Sequence, residues 1–392
     1  MNNKFSLNKS VVISIFSILY LLINLLFLYK YGSRQSYINI GLLVALYTTT
    51  LALMVFLFDK FTASKKLPKG FFLVAVAFFF ALTLFINLYV DGNQLNVDRW
   101  SAMDSSISGW FSGEYPYTMP THLGGRSSNL TSLLIIGIPF YLLGDVGYLQ
   151  SASFLLFAFL LYKSLSNLRA KLLGIILLVT SVSYMWEIFA KSDLMSNFII
   201  IIGFMILYFK RFGNQIIKNP VQVGGAASFL FFTRLVTAIP MVLLLFKGFL
   251  EVPWRGKILF SISFFITSLI LVVIVLLNAP SLEIVREYNP ILLQNRQLPL
   301  ALSLITISLP FFFSKRINSI DQLIKFSILF LFIPVFTAFT IYIVKHGFFN
   351  TIILSMFDIS YFNIILPFII FYLAYGYDKI LSERNLQPST LT

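Results

Sequence analysis

The chain has 392 residues, 58% of them hydrophobic and only 11% charged, with a formal net charge of +14 and no cysteine. Soluble globular domains carry about 25% charged residues, so this composition excludes one. The missing cysteines exclude a disulfide framework, a thiol nucleophile and a cysteine metal site. Charges fall between continuously apolar runs of roughly 17–25 residues, long enough to cross hydrocarbon, which predicts an all-α polytopic membrane protein. A β-barrel would alternate instead. Basic residues beside membrane spans set orientation, so the expected partner is a lipid bilayer and not a nucleic acid.

In chain order, Lys4 and Lys9 precede a first span, about Val11 to Leu28. It has no small-residue cleavage site and is expected to be retained. The second span is about Tyr37 to Leu57. A loop with Lys60, Lys65, Lys66 and Lys69 then marks the cytoplasmic side. The third span, about Phe71 to Val90, leads outside to the longest polar stretch, Asp91 to Ser128. Leu130 to Leu143 follows, closed by Gly144 and holding Pro139. At 1.5 Å per residue it reaches about 21 Å, too short to cross. It is expected to be a re-entrant or interfacial helix, with a short tilted span as the alternative.

Span four is expected at about Val146 to Tyr162, and span five ends near Met185. An outer turn with Glu187, Lys191 and Asp193 precedes span six, about Leu194 to Phe209. Val221 to Leu250 is one apolar block broken at Thr233-Arg234 and Pro240, which predicts two short helices, spans seven and eight, meeting at Arg234. Span nine is about Ile258 to Leu277. The outer loop Asn278–Gln297 follows, then span ten up to Lys315 and Arg316. Span eleven is about Phe326 to Val344 and span twelve about Tyr361 to Tyr377, before a short polar tail. Twelve spans put both termini in the cytoplasm. Lys and Arg then concentrate inside and Asp and Glu outside.

Arg99, Arg126, Lys191, Arg234, Arg286, Arg296 and Lys345 all fall at or near the outer face. An anionic headgroup would explain them, and so would pairing with the outer acids. Asp98 stands a few residues beyond span three. A carboxylate there can take a proton from an acceptor hydroxyl, or it can cap a helix. Asp104, six positions on, would face another way on a helix and serve a different role. Trp100, Trp110, Tyr115 and Tyr117 also fit an interfacial aromatic belt. His122 lies in the same loop. Glu187 and Lys191 have i,i+4 spacing and could pair, and Asp193 could cap span six. Arg234, between short apolar helices, is expected to face a cavity, a partner or a ligand; its planar fork suits phosphate oxygens. Arg286 and Arg296 are further candidates. Asn129-Leu130-Thr131 is a formal glycosylation sequon set against a membrane segment. There is no phosphate-binding glycine loop and no histidine cluster, so no cofactor or metal is expected. The inner loops are too short for a nucleotide-binding domain, so an activated donor would come from the membrane.

An Asp soon after a helix at Asp98, a GxYPY-like stretch (Gly113 to Tyr117), a half-length segment ending P-x-x-x-L-G (Pro139 to Gly144), Lys191-Ser192-Asp193 opening a span, and Thr233-Arg234 between short helices form a pattern. It resembles the GT-C superfamily of integral membrane glycosyltransferases, especially polyprenol-phosphate-mannose-type and related bacterial enzymes. The resemblance covers roughly residues 71–250, a GT-C-like catalytic core. It includes the outer loop and interfacial helix (91–144) and leaves 251–392 as variable C-terminal helices of one membrane domain. It implies a large first periplasmic loop and an inverting transfer on the outer face of a bacterial inner membrane. The sugar would pass from a polyprenyl-phosphate donor to a glycan, lipid or protein acceptor. Asp98 would be the general base, with Asp104, Glu187 and Asp193 in further catalytic or orienting roles. Arg234, Arg126, Lys191 and Arg99 would hold the phosphate, and Tyr117 and His122 would stand nearby. The pattern departs from many members in having Arg99, not an acid, after Asp98, and in lacking a large C-terminal soluble domain. Two alternatives stay open: an O-antigen-type polymerase or ligase acting through Arg286 and Arg296, and a transporter or flippase for lipid-linked substrates.

Overall fold

The computed structural model describes residues 9–64, 68, 70–213 and 217–386. Lys4, Lys65, Lys66, Lys69 and the tail beyond Leu386 lie outside the described residues, as does the side chain of Lys9. Among the described residues the chain is helical, with one isolated β-bridge between Pro120 and Arg126 and no strand.

The helices are α1 (Lys9–Gly32), α2 (Ile40–Ser64), α3 (Phe71–Tyr89), α4 (Arg99–Phe111), α5 (Thr131–Leu142), α6 (Tyr148–Ser164), α7 (Leu168–Val179), α8 (Val182–Phe189) and α9 (Leu194–Phe212). After them come α10 (Pro220–Phe231), α11 (Ala238–Glu251), α12 (Trp254–Leu276), α13 (Leu282–Glu287), α14 (Pro290–Gln294), α15 (Leu300–Ser314), α16 (Ile320–Ile352) and α17 (Leu366–Leu386).

Seven stretches are long and apolar enough to cross a bilayer: Ser10–Gly32, Ile40–Thr62, Phe71–Tyr89, Leu194–Phe212, Trp254–Leu276, Ile320–Ile352 and Ile359–Glu383. An eighth crossing arises if α7 and α8, bent by 61° at their junction, form one broken span. This is a multi-pass membrane protein. The difference from twelve lies in short helices. α6 has 17 residues, α10 has 12, α11 has 14 and α15 has 15. A helix of 12 residues rises only about 18 Å. The half-length segment after the polar loop is likewise one 12-residue helix, α5, with Pro139 inside it.

The chain divides into two compact units. The first comprises the described residues of Met1–Leu82, Phe154–Trp186 and Phe339–Thr392. α17 is its centre and packs on α1 and α7, while α2 leans on α1. Its interior is apolar, with Tyr20, Phe27, Phe154, Phe157, Phe368 and Phe371 buried. Several polar groups inside it are matched. The Tyr20 hydroxyl donates to the Leu177 carbonyl at 2.7 Å. Asn24 Oδ1 accepts from the Ser181 hydroxyl at 2.7 Å and from Ser183 N–H at 3.1 Å. Asp378 on α17 accepts the Asn167 N–H at 2.7 Å and the Ser166 N–H at 3.0 Å, satisfying donors that the start of α7 leaves open.

The second unit comprises Thr83–Ser153 and Glu187–Ala338. α10 packs along α12, α11 on α15 and α9, and α4 and α12 on α5. The polar loop is not draped over the surface. Met103 and Ile107 of α4, with Tyr115 and Tyr117, close on Leu133 and Leu134 of α5 as a core of their own. Tyr115 and Tyr117 are therefore core residues rather than members of an aromatic belt. Gly137 allows the contact, since a β-carbon there would meet Met103 Sδ at 2.7 Å.

Candidate functional site

Every residue of the candidate site belongs to the second unit. Asp98 stands at the N-cap position of α4, yet its side chain makes no capping hydrogen bond. Its Oδ2 accepts from the Thr121 hydroxyl at 3.2 Å. Thr121 belongs to a tight turn: Thr121 N–H donates to the Gly125 carbonyl at 3.0 Å and Gly125 N–H to Thr121 Oγ1 at 2.8 Å. Gly124 completes the turn at φ +75°, a conformation that suits glycine. Gly125 lies against the carboxylate itself, and a β-carbon there would come within 2.4 Å of Asp98 Oδ2. Asp98 Oδ1 takes no hydrogen bond among the described residues. Arg99 is half-buried on the first turn of α4.

His122 ties this turn to α4. Its Nε2 meets the Leu95 carbonyl at 2.7 Å, so that nitrogen carries the proton, and Nδ1 meets the Ser101 hydroxyl at 2.6 Å. With both ring nitrogens engaged, His122 is a clasp. Arg126, next after Gly125, is exposed. Its Nη2 lies 3.4 Å from Glu287 Oε1, and its guanidinium lies 3.9 Å from the Tyr288 ring centroid.

Asp104 points elsewhere on α4, as its six-residue offset from Asp98 predicts. Burial raises its carboxyl above the usual range, and nearby Asp145 adds to the rise, while Lys191 opposes it. Lys191 is buried and left-handed, with φ 49°. α8 stops at Phe189, so the i,i+4 geometry that would pair Lys191 with Glu187 is not maintained. Lys191 Nζ instead forms an ion pair with Asp145. Asp145 also accepts Trp100 Nε1 at 2.9 Å and Gly147 N–H at 2.7 Å. Sequence reasoning missed Asp145, because it follows Gly144 and reads as the polar edge of a span.

Asp193 is at the N-cap position of α9 but makes no cap. Glu187 does that work: its Oε2 accepts Met195 N–H at 3.3 Å. Asp193 instead pairs with Arg234, and both are buried. Arg234 sits between α10 and α11, as the apolar block predicts, in extended backbone. The same Nη2 donates to Asn129 Oδ1 at 2.9 Å. Asn129 is buried, so its sequon is not a surface glycosylation site. Gln294 closes the group. Its Nε2 donates to the Ser128 carbonyl at 2.6 Å and its Oε1 accepts Leu235 N–H at 2.8 Å. No residue-type signal distinguishes Gln294 in the sequence.

Tyr117 is buried beside the Thr131 hydroxyl, and burial raises its phenol well above the usual range. It is built into the loop core. Arg286 and Arg296 are exposed and do not join these hydrogen-bonded groups. The segment Thr121–Asn129 thus touches Asp98, carries Arg126, and ends on Arg234. Asn129 is four positions beyond Gly125, at most about 14 Å of extended chain. Among the described residues no group of three or more potential ligands could hold a metal. Comparison with known proteins finds no matching family model, no matching characterised protein and no matching solved structure.

Proposed function

We propose that the chain is a membrane glycosyltransferase of the GT-C kind. In this reading it moves a sugar from a polyprenyl-phosphate donor to an acceptor hydroxyl of a glycan, lipid or protein, on the outer face of a bacterial inner membrane. One observation carries the reading: the turn that touches the Asp98 carboxylate is followed directly by an exposed, exchangeable cation, Arg126. A proton acceptor, with a cation on the segment that touches it, is what displacement of a lipid phosphate by a hydroxyl requires.

In the proposed step the acceptor hydroxyl oxygen attacks the anomeric carbon. The bond from that carbon to the phosphate oxygen breaks, and its electron pair leaves with the phosphate. The hydroxyl proton passes to Asp98 and from there to solvent. The products are the new glycoside, inverted at the anomeric carbon, and polyprenyl phosphate. Negative charge develops on the departing phosphate. Arg126 is the cation best suited to meet it, because an exposed pair such as that with Glu287 is worth only about 0–1 kcal/mol and exchanges readily. Arg99, beside Asp98, is the second candidate. Lys191 and Arg234 are each matched by a buried or half-buried acid, so their proposed part is to shape the site, with Asp104, Glu187 and Asp193.

The test is to incubate purified protein in nanodiscs with polyprenyl-phosphate sugars and a hydroxyl acceptor. The expected result is free polyprenyl phosphate formed in step with a glycoside of inverted configuration. No release from any donor would overturn the reading.

A further inference from the structure

Around the Arg234–Asp193 pair several polar atoms are sealed from solvent without a partner. Arg234 Nε has none, nor has Asn129 Nδ2, nor either end of the Asn197 carboxamide, nor the Ser132 hydroxyl. They come from three separate parts of the chain. Asn197 lies one turn beyond Asp193 on the same face of α9. Ser132 is held at the Arg234 break by its N–H, which donates to the Phe232 carbonyl at 3.1 Å. Gln294 fixes the backbone next to both Asn129 and Arg234. A buried polar group without a partner costs about 1–3 kcal/mol, so native interiors hold few of them. Here Asn129 and Arg234 are hydrogen-bonded to each other at the ion pair, Asn197 N–H donates to the Asp193 carbonyl at 2.9 Å, and Ser132 is tied to the backbone two residues before Arg234.

We infer that this nest of Asn129, Ser132, Asn197 and Arg234 is the subsite for a neutral, hydroxyl-rich head group, the sugar of the donor. The chemistry selects that class. Asp193 already balances the Arg234 charge, so the nest offers no net attraction to a phosphate and no acid cluster to a cation. What remains are N–H donors, an amide oxygen and a hydroxyl. Sugar hydroxyls both donate and accept, and they complement that set. The clamped ion pair supplies a rigid edge, since its atoms are fixed before any ligand arrives. The phosphate would then lie toward Arg126, and the nest, reached along residues 126–129, would read the sugar. The identification as a donor sugar rests on the glycosyltransferase reading; the hydroxyl chemistry of the nest does not.

The test uses two variants, Asn197→Ala and Ser132→Ala, in purified full-length protein. Ser132→Ala removes only an unpartnered hydroxyl, so its ligand-free melting should stay level or rise; Asn197→Ala also opens a small cavity, so its binding is compared at a temperature where both variants are folded. Binding is measured for bare polyprenyl phosphate and for the same lipid carrying a hexose. The expected result is affinity for the hexose lipid reduced by about tenfold, the worth of one hydrogen bond, with affinity for the bare lipid unchanged. Equal weakening for both lipids would overturn the inference, and so would unchanged hexose-lipid binding. If wild type binds neither lipid, the glycosyltransferase reading fails on its own. The nest is then tested with a soluble hexose: thermal stabilisation of wild type but not of Asn197→Ala upholds it, and no stabilisation overturns it.

Discussion

Gly125 and Asp98 are in contact so close that a single added methyl at Gly125 would sit 2.4 Å from the carboxylate oxygen Oδ2. The turn from Thr121 to Gly125 therefore sets where the Asp98 carboxylate lies. The α4 start supplies the acid, and the turn supplies its only hydrogen bond among the described residues.

Gly125→Ala should accordingly displace Asp98 without unfolding the protein, because the added methyl can be accommodated by rotating one half-buried side chain. The expected outcome is a fall in transfer rate of about 100-fold, the scale of a 1 Å misplacement. Its melting temperature should stay close to wild type. A melting curve and a rate on the same sample check both.

The Arg234–Asp193 pair makes a different prediction. Both side chains are buried, so removing one partner leaves an uncompensated charge. Asp193→Ala and Arg234→Ala should each destabilise by about 3–5 kcal/mol. The double variant should lose less than the sum of the two. A double-mutant cycle followed by denaturation in detergent measures the coupling.

The Arg126–Glu287 pair is exposed, and its loss should barely change stability. Glu287→Gln would release Arg126 toward the donor phosphate. The expected result is a lowered KM at unchanged melting temperature, whereas Arg126→Ala raises KM and lowers kcat. Steady-state kinetics against donor concentration separate these outcomes.

Asp104 gives a pH prediction. Its folded pKa is raised by burial and by Asp145, so the folded protein holds that proton more tightly than the unfolded chain does. Stability from the protonated carboxyl is present at low pH and is lost as pH rises through the raised value. Asp104→Asn should therefore melt higher than wild type at neutral pH. The difference should shrink as pH falls through the raised value and be gone below the ordinary carboxylate range. Melting curves from acid to neutral pH check the sign.

The membrane class, the half-length α5 and the break at Arg234 were all legible in the sequence, because apolar run length and Pro or Arg interruptions report directly on helix length. The separate orientations of Asp98 and Asp104 followed from helical periodicity. Pairing across the chain was not legible. Asp145 meets Lys191 from 46 positions away, and Asp193 meets Arg234 from 41. Local offsets favoured a Glu187–Lys191 pair and an Asp193 cap, but the left-handed turn at Lys191 redirected both. Gln294 and Ser132 carry no charge and no motif, so only packing reveals them. Twelve crossings were expected because four short helices read as full spans; seven stretches, or eight with the bent pair, are long and apolar enough to cross.

The most direct test of the central claim compares sugar transfer from a radiolabelled polyprenyl-phosphate donor by purified wild type and Asp98→Asn, matched for amount and melting temperature. The account predicts transfer by wild type and a loss of about 100-fold or more in the variant, the contribution of a positioned general base, with donor binding retained. An Asp98→Asn protein that transfers at the wild-type rate would contradict it.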